Sequence, residues 1–149
     1  MHEIHQSVVV PYTAEQMFNL VNDVERYPAF LPWCYAAAVL SSKPGVLRAR
    51  VSVRKAKFDY SFTTDNYLTS PNRLEMRLVD GPFKRFGGAW RFDASALGCR
   101  VSLDLEYEFL NRLSSLALAP IFKSIAGSLV VSFRNRADQL YGATPADSD

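Results

Sequence analysis

The sequence holds only two cysteines, Cys34 and Cys99, in 149 residues. That is too few for a disulfide framework, and their spacing matches no zinc pattern. It also lacks an excess of charge of either sign. Seventeen basic side chains against fifteen acidic ones leave +2, too balanced to announce a nucleic-acid binder. No phosphate-cradling glycine loop, dinucleotide fingerprint, G-x-S-x-G elbow or paired-carboxylate motif occurs, which removes the commonest signatures of nucleotide-dependent and hydrolytic enzymes. The opening residues Met1 to Gln6 have neither the basic nor the apolar stretch of a secretory signal. The longest apolar run, Leu113 to Phe133, is broken by Pro120, by Lys123 and by serines at 114, 115, 124, 128 and 132. A lysine at a bilayer centre alone costs about 2.5–3.5 kcal/mol. No transmembrane segment is expected, and a cytoplasmic location follows.

What is present is ordinary in amount and ordered in pattern. Apolar residues make up 48%, and a chain of this length buries roughly 68–70% of its unfolded surface as one domain. Residues 3–10 alternate as a strand, with Ile4, Val8 and Val10 on one face. Pro11 stops it. Thr13 followed by Gln16 forms a capping-box signature and predicts a helix from Ala14 to Val24, with Met17, Phe18, Leu20, Val21 and Val24 as its buried stripe. Pro28 and Pro32 confine the next segment, Tyr27 to Trp33, to a short helix or turn.

Between 35 and 110 the period becomes two. Leu47, Ala49, Val51 and Val53 form one inward set, and Phe58, Tyr60 and Phe62 another. Leu74, Met76 and Leu78 form a third, and Val101, Leu103, Leu105, Tyr107 and Phe109 the longest. Turn signals fall at Lys43-Pro44-Gly45, Ser70-Pro71-Asn72, Gly81-Pro82, Gly87-Gly88 and Gly98, so an antiparallel meander is expected. One long helix, Leu113 to Tyr141, closes the pattern with Leu118, Phe122, Ile125, Leu129, Phe133 and Leu140 on one stripe. It would span about 40 Å, enough to cover the sheet. Residues 1–142 form a single expected domain, and 143–149 an expected disordered polar tail. Patterning alone leaves open whether the inward aromatics fill a solid core or leave a cavity.

Three stretches carry a resemblance. The run Asp23-Val24-Glu25-Arg26-Tyr27-Pro28-Ala29-Phe30-Leu31-Pro32-Trp33-Cys34 is the most specific. Gly81-Pro82-Phe83-Lys84 with Trp90-Arg91-Phe92 is the second. The third joins Ala117 to Phe122 with Arg136 to Gly142. Together they resemble the START-like, helix-grip family of the bacterial ribosome association toxin RatA and the mitochondrial coenzyme Q-binding proteins, over residues 3–142. The resemblance implies an α+β fold of START/Bet v 1 type. In it a curved antiparallel sheet of six to seven strands wraps around a long C-terminal helix, with two short helices after the first strand.

It also implies a binding function without catalysis. The expected ligand is lipophilic, a ubiquinone or related polyprenyl quinone, and no cofactor is required. Its pocket would be lined by Phe30, Trp33, Tyr60, Phe62, Met76, Phe83, Trp90, Tyr107, Phe122 and Leu129. A second implied role is binding the large ribosomal subunit and blocking its union with the small one, through Arg54, Lys55, Lys57, Lys84 and Arg85. Peripheral membrane contact is a further expectation. The alternative on this fold is a polyketide cyclase or dehydratase, which fold alone does not imply.

Several constellations have a plain structural reading beside the functional one. Residues 43–57 hold six basic side chains and no acid. They form either a phosphate footprint or a wet strand face paired across to Asp59 or Asp65. Gly81 to Gly88 reads as a loop in which Phe83 and Phe86 gate a pocket mouth beside Lys84 and Arg85, or as a plain hairpin. His2 and His5, three apart in a strand, face opposite sides and share no metal. Cys34 reads as a buried, inert thiol, and no metal site or catalytic residue is expected.

Overall fold

β1 (His2–Val10) ends at Pro11, and Thr13 then opens α1 (Ala14–Asn22). Thr13 Oγ1 accepts from the Gln16 N–H at 3.0 Å, while Gln16 Oε1 accepts from the Thr13 N–H at 2.9 Å. These reciprocal bonds stabilise a helix start by about 1 kcal/mol. Met17, Phe18, Leu20 and Val21 are buried beneath it. The helix stops at Asn22, short of the expected Val24. Asp23 leaves helical geometry, and Val24 is buried as the first residue of a 3₁₀ turn, Val24–Ala29. The short helix expected at Tyr27 to Trp33 therefore begins earlier and is a 3₁₀ turn. Pro28 lacks an N–H and disfavours α geometry at Tyr27, which a tight turn tolerates better. The structure, a computed structural model, describes residues 2–142. The tail expected at 143–149 lies outside the described residues.

Six further strands follow: β2 (Cys34–Lys43), β3 (Val46–Lys55), β4 (Phe58–Thr69), β5 (Arg73–Asp80), β6 (Phe83–Ser95) and β7 (Gly98–Phe109). With β1 they make one seven-stranded antiparallel sheet in the order β1-β7-β6-β5-β4-β3-β2. The meander is thus continuous from β2 to β7, and β1 closes the far edge. Val101, Leu103, Leu105, Tyr107 and Phe109 are all buried along β7, each worth about 1.5–3 kcal/mol of apolar transfer. Tyr60 departs from its alternating set and is 42% exposed.

The loop expected from Gly81 to Gly88 is not a loop beyond its first residues. β6 starts at Phe83 and runs through both later glycines. Its pairing with β7 shifts between Phe83 and Arg85, so one residue is unmatched. Phe83 and Phe86, three apart, consequently both face inward and are 3% and 8% exposed. They are core residues, not exposed gates, while Lys84 and Arg85 stand exposed on the strand. Gly87-Gly88 is no turn either. A Cβ on Gly88 would lie 2.0 Å from the Asp104 carbonyl oxygen, so only glycine permits that approach of β6 to β7.

Asn111 caps the C-terminal segment by accepting from the Ser114 N–H at 2.8 Å. The single long helix expected here is two: α2 (Arg112–Gly127) and α3 (Leu129–Tyr141), broken at Ser128. A Gly-Ser pair is a common site for such a break. Gln6 Nε2 donates to the Gly127 carbonyl at 2.8 Å and ties the break to β1. The stripe continues across it: Leu118, Phe122, Ile125, Ala126, Val130, Phe133 and Ala137 are buried, while Leu140 is half exposed. At the far end the Tyr12 hydroxyl donates to the Asp138 carboxylate and fastens α3 to the segment before α1.

A candidate cavity between sheet and helices

The concave face of the sheet meets α2 and α3 in two different ways. At one end rings fill the space. Phe122 lies among Phe58, Phe62, Phe83, Phe86, Tyr107 and Phe109, with centroids 4.8–6.5 Å away. Nearer the break Ala49 on β3 and Ala126 on α2 stand among the rings, and a cavity of about 80 Å³ remains. It holds more than a water molecule but falls below the roughly 300–1,000 Å³ of developed ligand pockets.

The wall is built by nearly every element. β3 gives Ala49, Val51 and Val53; β4 gives Phe62, Thr64 and Asn66; β5 gives Met76. β6 gives Phe86 and Trp90, and β7 gives Leu105. The helices supply Phe122, Ile125, Ala126, Leu129 and Phe133 from above, and Val24, Tyr27 and Trp33 close one end. The described lining contains no carboxylate, imidazole, amine or thiol. Its one titratable side chain is Tyr27, whose hydroxyl donates to the Val21 carbonyl, and burial drives its pKa far above the usual tyrosine value. No proton-transfer group therefore titrates near neutrality on this wall.

Of the ten expected pocket residues, Trp33, Phe62, Met76, Trp90, Phe122 and Leu129 line the cavity. The other four do not. Phe30 packs against Tyr27 and Phe133 with the Arg136 guanidinium 5.1 Å over its ring. Tyr60 is largely in solvent beside Phe58. Phe83 belongs to the filled aromatic end, and Tyr107 stacks on His2 at 5.1 Å. Thr64 and Asn66 escaped the sequence reading, although they interrupt the apolar inner row of β4 and so left a signal.

The basic side chains are partly paired. Arg48 makes a two-pronged bond to Asp65 at 2.8 and 3.1 Å. Arg54 reaches Asp59 at 3.4 Å and lies 4.3 Å over the Tyr35 ring. Lys55 Nζ donates to Ser124 Oγ on α2 at 3.1 Å, and Arg85 stands 3.9 Å from Glu108. The β3–β4 turn with Lys57 and the start of β6 with Lys84 lie at the same end of the meander. His5 is on the outer face, bonded to Asp104 at 2.7 Å and Glu3 at 2.9 Å, opposite to His2. Burial pushes the Cys34 thiol up to about 11, outweighing a smaller lowering by a backbone hydrogen bond with Ala36, which leaves it protonated and unreactive.

A family described as polyketide cyclase / dehydrase and lipid transport matches residues 10–134. The chain belongs to that family. Within it, the ribosome association toxin RatA of Escherichia coli K12 is 46% identical over 96% of this chain and 91% of its own. The mitochondrial coenzyme Q-binding protein COQ10 homolog B of Xenopus laevis is 28% identical over 94% of this chain and 59% of that protein. A START superfamily protein from Mycobacterium smegmatis superimposes with a TM-score of 0.78 at 22% identity, covering 94% of this chain and 99% of its own. The fold is therefore START-like, of helix-grip architecture. The fold alone assigns no activity, so the lining of the cavity beneath α2 and α3 has to decide between binding and chemistry.

Proposed function

We propose that this protein binds a lipophilic small molecule in the cavity beneath α2 and α3, as a carrier and not as an enzyme, in the cytoplasm. One observation carries the reading: the cavity wall is apolar and aromatic, and no side chain on it titrates near neutrality. A polyketide cyclase or dehydratase moves protons on its substrate, which needs such a group within hydrogen-bond reach. A polyprenyl quinone is the leading ligand class, supported by the family's lipid-transport description and by the relative named as a coenzyme Q-binding protein. Trp33, Phe62, Met76, Trp90, Phe122 and Leu129 would contact it. Because the cavity is only about 80 Å³, against the roughly 150 Å³ of an apolar cavity that takes up benzene, a quinone ring requires the wall to open and a prenyl tail extends beyond it. Organic extraction of the purified protein with mass spectrometry tests this. A prenylated quinone is expected, and repeated recovery of nothing lipophilic refutes it.

Peripheral membrane contact suits a carrier of this kind. Leu110, Leu113 and Leu116 are 58%, 78% and 73% exposed, with the exposed cations Lys84, Arg112 and Lys123 on the same segment and the neighbouring strand. Apolar side chains beside cations suit an anionic lipid surface.

A second reading is favoured by the RatA relative at 46% identity. In it Arg54, Lys55, Lys57, Lys84 and Arg85, at one end of the sheet, meet the phosphates of the large ribosomal subunit and block subunit joining. Co-sedimentation with large subunits should fall steeply with salt and should weaken in the Lys84→Glu, Arg85→Glu double variant. Indifference to both would remove this surface from the account.

A further inference from the structure

We propose that Thr64 and Asn66 form a hydrogen-bonding subsite in the cavity wall for an acceptor oxygen of the ligand: a ketone, quinone or ester carbonyl on an otherwise apolar body. This rests on the carrier reading and adds the polar chemistry of the cargo.

Both side chains project from the inner face of β4 and are nearly closed off from outside solvent, at 6% and 5% exposure. Their neighbours across the sheet are apolar. Thr64 pairs with Ala49 and Leu78, and Asn66 with Leu47 and Met76. Ala49, the smallest of these, leaves Thr64 uncovered on the cavity side. The Thr64 hydroxyl donates to Asn66 Oδ1 at 2.8 Å. That bond orients the carboxamide, occupies one of the two lone pairs of its oxygen, and leaves the Nδ2 amide with two protons to donate.

A core position needs no such pair. Phe58, Phe62 and Leu68 on the same face pack against the core without polar atoms. A buried amide N–H that meets no acceptor is costly, so an apolar residue would serve packing better. The amide belongs instead to the cavity lining and is not among the fully enclosed unpaired polar atoms of the described residues, so an oxygen-bearing guest gains a bond there that a plain hydrocarbon cannot make. An otherwise apolar wall with a few placed polar groups is how small-molecule sites fix orientation. The subsite therefore selects the headgroup, and the surrounding rings hold its apolar body.

The test uses the full chain, delipidated, with two probes that share a tail: decylubiquinone and decylbenzene. Equilibrium dialysis should show decylubiquinone bound about tenfold more tightly, the scale of one retained hydrogen bond. Asn66→Leu should erase most of that preference while keeping its affinity for decylbenzene, and Thr64→Val should reduce it less. In the wild-type protein decylubiquinone should slow exchange of the Asn66 side-chain amide protons with solvent beyond the slowing decylbenzene produces, and should move them downfield as a hydrogen bond does, a readout that holds even where a variant folds poorly. An Asn66→Leu protein that keeps the tenfold preference, or an Asn66 amide indifferent to the quinone, overturns the subsite and leaves the carrier reading intact. Binding of neither probe overturns both.

Discussion

Filling the cavity from the Ala49 side is the sharpest perturbation the fold offers. Ala49 is 2% exposed on β3 and faces the empty space opposite Thr64. Unfilled volume forgoes about 24 cal/mol per Å³, so about 80 Å³ corresponds to roughly 2 kcal/mol of missing stability in the ligand-free protein. Isoleucine adds three carbons at that point and suits a strand backbone. Ala49→Ile should therefore raise the unfolding free energy by about 1–2 kcal/mol, read as a higher denaturant midpoint at unchanged slope. Each kcal/mol corresponds to about 2–4 °C in melting temperature for a chain of this size. Both proteins must be delipidated first, because a bound ligand stabilises the wild type by mass action. The same variant should lose the lipid that the wild type retains through purification. Destabilisation by about 1–3 kcal/mol would signal overpacking and mean the space is already filled. Stabilisation with an unchanged lipid yield would move the ligand out of this cavity.

Three further outcomes are expected. Tyr12→Phe removes the bond to Asp138 that fastens α3 and should cost about 1.5 kcal/mol in chemical denaturation, the lower range for a bond to a charged group. The same bond, with burial second, lifts the Tyr12 hydroxyl to about 12. Its contribution is whole below pH 10, where the unfolded tyrosine is still neutral, and should be lost as pH rises from 10 to 12 in wild type but not in Tyr12→Phe. His5, held chiefly by Asp104 and then by Glu3, should titrate by NMR above the ordinary histidine value and return toward it in Asp104→Asn. Because the folded value is raised, its support is present in acid and fades as pH rises through that value, so His5→Gln should flatten this part of the stability profile. Leu113→Ser with Leu116→Ser should leave the melting temperature unchanged, since both side chains are already in water, yet reduce co-sedimentation with phosphatidylglycerol vesicles.

The strands and the capped first helix were legible because their signals are local. Thr13 and Gln16 satisfy each other within one turn, and the five inward residues of β7 need only the alternation of a pleat. What escaped depends on partners distant in sequence. Gly87-Gly88 looks like a turn until β7 is brought against it, when the Asp104 carbonyl explains the missing side chain. Phe83 and Phe86 share a face only because a pairing shift inserts a residue between them, and nothing local marks that shift. Tyr60 kept the right alternation but is 42% exposed, so alternation alone gave the wrong exposure. The cavity was anticipated as a region, yet its membership turned on small residues. Ala49 and Ala126 open the space, and a search for large aromatic side chains passes over them.

α2 presents apolar side chains on two faces, and folding accounts for only one. Phe122 and Ile125 close the cavity, and Leu118 joins them in the core. A helix covering one sheet needs a single such stripe, with polar residues opposite. Leu113 and Leu116 instead point into solvent. The segment Arg112–Tyr141 accordingly reaches a mean hydropathy of 1.8 over eighteen residues of which 33% are buried. Lysine cost and serine content argue against a span, and the break at Ser128 shortens each half to 16 and 13 residues, below the roughly 20 that cross a bilayer. The exposed leucines are the basis of the membrane contact proposed above. The basic end of the sheet reaches the same helix, where Lys55 is bonded to Ser124. The candidate cavity, the exposed leucines and the basic end of the sheet thus meet at one helix, which is why the proposed cargo and surface contacts can be tested by substitutions on the same element.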